Sequence, residues 1–272
     1  MLWFFVDRER IIESILHKLV RKHMAGTTMD SAIDAAKSLG DRSIPTSLMF
    51  LSSASTDRSK AKYIATTYGE LIRRIARSGL KSSVHLQLDQ LGSGINKEMA
   101  IENLREIANI AERYGIFLWV EPGEDAKGLY RHLAKIGKIG VVAGEKDAEE
   151  LAKLKFKNAK LMLKDFEEKE KHGGVKRIGE LSRLFGRVCI TYIPENLLSE
   201  IMKNKLKSDI EIEFGYGYSE RKMGAAIKKG AKISVLVPFG KDWIRYAMNN
   251  VPEGYMRFVA GKLLKEDEED AT

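Results

Sequence analysis

Several ionisable side chains fall on the same face of short apolar runs, and their types suggest chemistry. In Ser83–Leu91, the residues Val84, Leu86 and Leu88 alternate with His85, Gln87 and Asp89. Side chains on a strand point to opposite faces in turn, so the apolar set packs on helices and the polar set faces a common interior. The same alternation sends Trp119 and Glu121 inward from Ile116–Glu121. It does so for Met162 and Lys164 from Ala159–Lys164, and for Glu211 and Glu213 from Ile210–Phe214. One lysine and one histidine thus meet several acids. Buried charges are costly unless they are paired or hold a ligand. Lys164 can form a structural network with Glu121 and Glu213. It can also serve as a lysine for carbonyl chemistry or as the electrostatic partner of a cofactor. Asp89, Glu121, Glu213 and His85 are oxygen and nitrogen donors that suit a divalent cation. The chain has no His-x-His or His-Glu-x-x-His spacing, so no metal site is expected. His17, His23, His132 and His172 read as surface residues.

These side chains need a frame that brings strand ends together. Eight apolar runs supply it: Thr46–Leu51, Ser83–Leu91, Ile116–Glu121, Ile139–Ala143, Ala159–Lys164, Val188–Tyr192, Ile210–Phe214 and Lys232–Val237. Amphipathic segments separate them, with Thr56, Asn96 and Ser219 as expected caps and Gly79, Gly115 and Gly230 as expected stops,. Eight strands alternating with helices predict an α/β fold, a closed (β/α)8 barrel, whose site lies at the carboxyl ends of the strands. An open doubly wound sheet would usually carry a Gly-rich turn after its first strand, and none is present. Asp7–Met24 reads as an additional amino-terminal helix with Ile11, Ile12, Ile15, Leu16, Leu19 and Val20 as its apolar stripe,. Lys241–Asn250 and Pro252–Leu264 read as additional carboxyl-terminal helices, and residues 265–272 form an acidic tail. The whole chain, 1–272, is expected to be one domain, with the barrel proper at about 44–250. Gly215–Tyr218 and Pro238–Lys241 follow the last two strands, the usual place for a phosphate in a barrel. Tight turns explain the same glycines.

Composition narrows the class. Hydrophobic residues make up 44% and charged residues 31% of 272 residues, the pattern of a globular protein,. No apolar stretch approaches the ~18 residues of a membrane span. Met1–Val6 is too short for a secretory core and runs into Asp7, Arg8, Glu9 and Arg10,. A cytoplasmic location is therefore expected. Cys189 is the only cysteine, which excludes internal disulfides and cysteine-based metal clusters,. The net charge of +8 is spread over helices with Glu between the basic residues, which argues against a nucleic-acid face,. The abundance of Lys, Glu and Arg fits a thermophile.

An ordered series of segments resembles the proline dehydrogenase family. Val237-Pro-Phe-Gly-Lys-Asp-Trp243 is similar to the family's last strand, V-P-Y-G-x-x-W. Ala25-Gly26-Thr27 is similar to its A-G-E/T opening. Ser83-Val-His-Leu86 with Gln90-Leu-Gly92 is similar to S-V-K-L with Q-L-G. Leu163-Lys164 matches L-V-K, Thr191-Tyr192 falls at A-T-H, and Glu213-Phe214-Gly215 falls at E-F-Q. The matches span roughly residues 24–260 in family order. The resemblance implies a barrel that binds flavin and oxidises proline. It carries Lys164, Glu121, Glu213 and the Tyr246 helix over to this chain. Other family positions differ. The paired arginines that grip the substrate carboxylate stand as Asn249 and Asn250, and an amide lacks their bidentate charge,. The first-strand aspartate and the G-E after it fall near Met49, Ser52 and Ser53. His85 replaces a lysine and Trp119 an aspartate. Tyr192 and Gly215 replace a histidine and a glutamine that touch the flavin.

The resemblance implies a flavin-dependent oxidoreductase with altered or lost proline specificity, with FAD as cofactor and a small molecule as substrate. Lys164, Tyr246 and Glu121 are the expected catalytic residues. His85, Lys164, Tyr192 and Glu213 are the expected flavin contacts. Two alternatives stand beside it: a barrel without flavin that uses a metal or a lysine, and a non-catalytic binding or assembly protein. Homo-oligomerisation is left open.

Overall fold

The computed structural model describes residues 21–123, 126–163, 174–191, 193, 195–203, 210–218 and 220–242. Eight parallel strands close into a barrel in chain order: β1 Thr46–Phe50, β2 Ser82–Gln87, β3 Leu118–Glu121, β4 Ile139–Gly144, β5 Asn158–Met162, β6 Arg187–Thr191, β7 Ile210–Gly215 and β8 Lys232–Phe239. β8 pairs with β1, so no strand edge is left open,. All eight expected strands are present, with ends shifted by a few residues. The largest shift is at β2, which stops at Gln87. There Leu91 and Gly92 donate their backbone N–H groups to the carbonyls of Leu88 and Asp89, folding that stretch into turns. Asp89 therefore lies in a turn beyond the strand.

The described helices are α1 Met29–Gly40, α2 Arg58–Arg77, α3 Lys97–Tyr114, α4 Ala126–Leu133, α5 Ala148–Lys153, α6 Gly174–Ser182, α7 Glu195–Lys203 and α8 Glu220–Lys228. α2 shows why they form. Ala61, Ile64, Ala65, Tyr68, Leu71, Ile72 and Ile75 recur at helical spacing and are buried,. Asp57, rather than the expected Thr56, caps α2: its carboxylate accepts the N–H of Lys60, one of the donors a helix start leaves unpaired,. Asn96 caps α3 by accepting from Met99, and Gly115 ends it in the left-handed region at φ 68°,. Ser219 and residues 7–20 of the expected amino-terminal helix lie outside the described residues, as do the expected helices and tail beyond Asp242.

α1 precedes the first strand and packs on both β1 and β8. It fills the groove that a regular barrel gives to the helix after its last strand. The main core lies between the sheet and the helices and includes Leu48, Val84, Leu86, Val120, Val141, Leu161 and Ile212. A second, small apolar cluster inside the barrel joins Trp119, Val142 and Cys189 with Phe117 and Met162. Among the described residues, no helix is long and apolar enough to cross a membrane.

Candidate functional site

Strand alternation puts two tiers of polar side chains inside the barrel. The lower tier is charged and closed. Lys160 on β5 is fully buried and donates to Glu213 Oε1 at 2.5 Å, with side-chain exposures of 0% and 1%. The two residues sit on alternate strands, the arrangement by which barrel interiors stack in layers. The Lys160 ammonium also lies 4.9 Å from the ring centroid of Trp119,. Towards the amino ends of the strands, Arg187 donates to Glu211 at 2.7 Å and packs against Phe117 and Trp119. Ser234 donates to the other oxygen of Glu211. Cys189 is buried in this tier, and loss of water together with the Glu213 charge raises its thiol pKa,.

The upper tier lies at the carboxyl ends of the strands. Glu121 Oε2 accepts from Gln87 Nε2 at 3.1 Å and lies 3.2 Å from His85 Nε2. His85 is almost fully buried, whereas the Glu121 side chain is 23% exposed. The inward positions at the ends of β4 and β7 are Gly144 and Gly215, and a Cβ added at either would meet nothing within 4 Å. Met162 and Thr191 stand on the strands between them. Among the described residues this end of the barrel leaves space at its two glycines and offers hydrogen-bonding groups at Glu121.

His85, Glu121 and Glu213 thus face the interior as the alternation requires, with Glu213 one tier below the other two. Lys164, Tyr192, Tyr246, Asn249 and Asn250 lie outside the described residues. The expected network of Lys164 with Glu121 and Glu213 depends on a residue outside those described; among the described residues Lys160 pairs with Glu213, and His85 and Gln87 lie against Glu121. Lys160 has the same parity as Met162 and Lys164, so the alternation that marked those two also marked it. Its place in mid-strand opposite an inward acid was the signal. His23, expected at the surface, is half-buried and its Nδ1 lies 3.2 Å from the Tyr216 carbonyl. Desolvation lowers its pKa,. Among the described residues no group of three or more His, Cys, Asp or Glu side chains could hold a metal.

No family model matches the chain. It is 23% identical over 259 residues to proline dehydrogenase 1 of Bacillus subtilis strain 168, covering 86% of each chain. To proline dehydrogenase 2 of the same strain it is 22% identical over 263 residues, covering 85% of each. Among solved structures it superposes on proline utilization A of Bdellovibrio bacteriovorus, inactivated by N-propargylglycine, with a TM-score of 0.69 at 14% identity over 92% of this chain. A variant of the Bradyrhizobium japonicum protein of that name gives 0.63 over 85%. The chain spans about a third of the length of those two solved chains. The chain is thus similar to proline dehydrogenases in sequence, and it shares the barrel fold of the two solved proteins.

The segments that carry the resemblance also hold the mouth of the barrel together. Gln90, of the Gln90-Leu-Gly92 motif, is fully buried and accepts from the Tyr68 hydroxyl at 2.7 Å. Its amide nitrogen donates to the carbonyls of Phe50 and Ser52, both at 3.0 Å, which ties the end of β1 to the turn after β2. Ser55 donates to the Gln90 carbonyl. In the Val237–Trp243 motif, the Pro238 carbonyl accepts from Ala25 of the Ala25-Gly26-Thr27 segment, and Gly240 N–H donates to the Gly26 carbonyl. Gly240, at φ 139°, lies so close to Leu51 that a Cβ would sit 2.4 Å from the Leu51 carbonyl oxygen. Gly217 admits the Lys22 carbonyl in the same way. Close backbone approach accounts for both glycines.

Proposed function

We propose that the chain is a flavin-dependent oxidoreductase of the proline dehydrogenase type, cytoplasmic, acting on a small molecule other than free proline. The observation that carries this reading is the open carboxyl end of a proline dehydrogenase-like barrel, where Gly144 and Gly215 leave space and Glu121 is clasped by His85 and Gln87. Open space above two glycines, with hydrogen-bonding groups on the opposite wall, fits a planar heterocycle. FAD, when bound, supplies the hydride-accepting chemistry. In this reading His85, Lys164, Tyr192 and Glu213 hold it, and Lys164 offers a strong positive charge. Glu213 offers only its second oxygen, because Lys160 occupies the first. Glu121 orients the substrate and Tyr246 packs over it.

Free proline is expected to be a poor substrate. Asn249 and Asn250 stand where the family grips the carboxylate, and each lost charge-assisted bond costs about 1.5–3 kcal/mol. Titration of purified protein with FAD, read by quenching of flavin fluorescence, tests the cofactor assignment. Lys164→Met should abolish that binding and leave the melting temperature unchanged. A variant that melts far lower while the parent chain binds no FAD would favour the alternative, a barrel in which Lys164 serves only pairing.

A further inference from the structure

The hydrogen bonds around Glu121 have a direction, and it can be followed link by link. Backbone carbonyls only accept. The nitrogen of the Gln90 amide must therefore face Phe50 and Ser52, and its oxygen must face Tyr68. The same nitrogen lies 3.4 Å from Gln87 Oε1, a contact that fixes which end of the Gln87 amide points towards Gln90. Gln87 consequently turns its NH2 group to Glu121, at 3.1 Å. A carboxylate only accepts, so the His85 nitrogen 3.2 Å from the same oxygen carries a proton,. That nitrogen is Nε2. The other ring nitrogen, Nδ1, is buried and has no hydrogen-bond partner among the described residues.

We propose that the chain Tyr68–Gln90–Gln87–Glu121 holds His85 with a proton on Nε2, leaving Nδ1 as a buried lone-pair acceptor for a ligand N–H. This rests on the reading of the barrel mouth as the substrate site and names the class of substrate: a cationic amine without a carboxylate. A lone pair beside a carboxylate attracts an N–H donor and repels an anion. Glu121, partly exposed, links the buried ring to the open end. Tyr68 and Gln90 act through Gln87 and Glu121 and are positioning residues.

The test is a two-bond proton–nitrogen correlation spectrum of purified protein labelled with 15N-histidine, at pH 8, where the two tautomers give different patterns. The His85 signals are identified as those missing from His85→Asn. The proposal expects the Nε2–H pattern for His85. Glu121→Gln keeps it, because the amide oxygen accepts the same two donors, whereas Glu121→Met gives a mixture of tautomers. Millimolar pyrrolidine, a cyclic amine without a carboxylate, should shift His85 Nδ1 upfield, and equal proline should shift it less. An Nδ1–H pattern, an unchanged pattern in Glu121→Met, or a larger shift with proline than with pyrrolidine would overturn it. The nitrogen shifts are read whatever the flavin content, so a failure here is distinct from a failure to bind FAD.

Discussion

Replacing Lys160 with methionine is the sharpest structural perturbation available inside this barrel. The lysine and its partner are 0% and 1% exposed, and their contact is 2.5 Å. Among the described residues Glu213 Oε2 already has no hydrogen-bond partner, so Lys160→Met leaves that carboxylate without its charged donor. Removing one member of a buried ion pair costs about 3–5 kcal/mol, because the remaining charge stays desolvated. At roughly 2–4 °C per kcal/mol for a chain of this size, the melting temperature should fall by about 6–20 °C. Protonation of the stranded carboxyl relieves the penalty, so the deficit should be smaller at pH 5 than at pH 8. The double variant Lys160→Met, Glu213→Leu removes both charges and should recover most of the loss, since apolar replacement of a whole pair is often neutral or stabilising. Urea unfolding followed by circular dichroism at both pH values reads all of this. A loss under about 1 kcal/mol in the single variant, or a double variant no better than the single, would refute the claim that this pair is desolvated and mutually dependent.

Further outcomes follow from the same contacts. A Cβ at residue 140 would lie 2.3 Å from the Trp119 ring, so Gly140→Ala should destabilise by about 1–3 kcal/mol through overpacking, measured by urea unfolding,. Adding Trp119→Leu should recover part of it, and equal losses with and without that change would contradict the contact. Tyr68→Phe should cost about 1–3 kcal/mol, since the buried Gln90 oxygen loses its donor at 2.7 Å,. An unchanged unfolding midpoint would show that Tyr68 does not hold Gln90. His23 has its pKa lowered in the folded chain, chiefly by desolvation. The unfolded state then takes up the proton first, and stability falls as pH drops below the ordinary histidine value of 6.5,. His23→Gln should flatten the stability profile between pH 7 and pH 5, and a profile of unchanged slope would count against it.

Much of the fold was legible because barrel strands are buried on both faces and read as apolar runs with breaks between them. The eight strands, the Asn96 cap and the Gly115 stop could all be placed from local chemistry. The end of β2 was missed because Leu88 and Leu91 continue the apolar pattern through a turn held by backbone hydrogen bonds. Thr56 and Asp57 are both good caps, and which of them caps depends on backbone dihedrals that spacing does not encode,. At the site, alternation placed His85, Glu121 and Glu213 inside. It could not assign partners, because Lys160 reaches Glu213 across an intervening strand and the closure of the barrel sets that contact. The direction of the Gln90 and Gln87 amides was equally out of reach, since it depends on which carbonyls end up beside them.

The proposed activity is the passage of electrons from an amine other than proline to bound flavin. The decisive measurement is the visible absorption of the purified protein, incubated with FAD and mixed anaerobically with pyrrolidine or with proline. Retained flavin absorption that is bleached by pyrrolidine and stays unchanged in equal proline is the expected result. A protein that retains no flavin, or one bleached readily by proline, would contradict it.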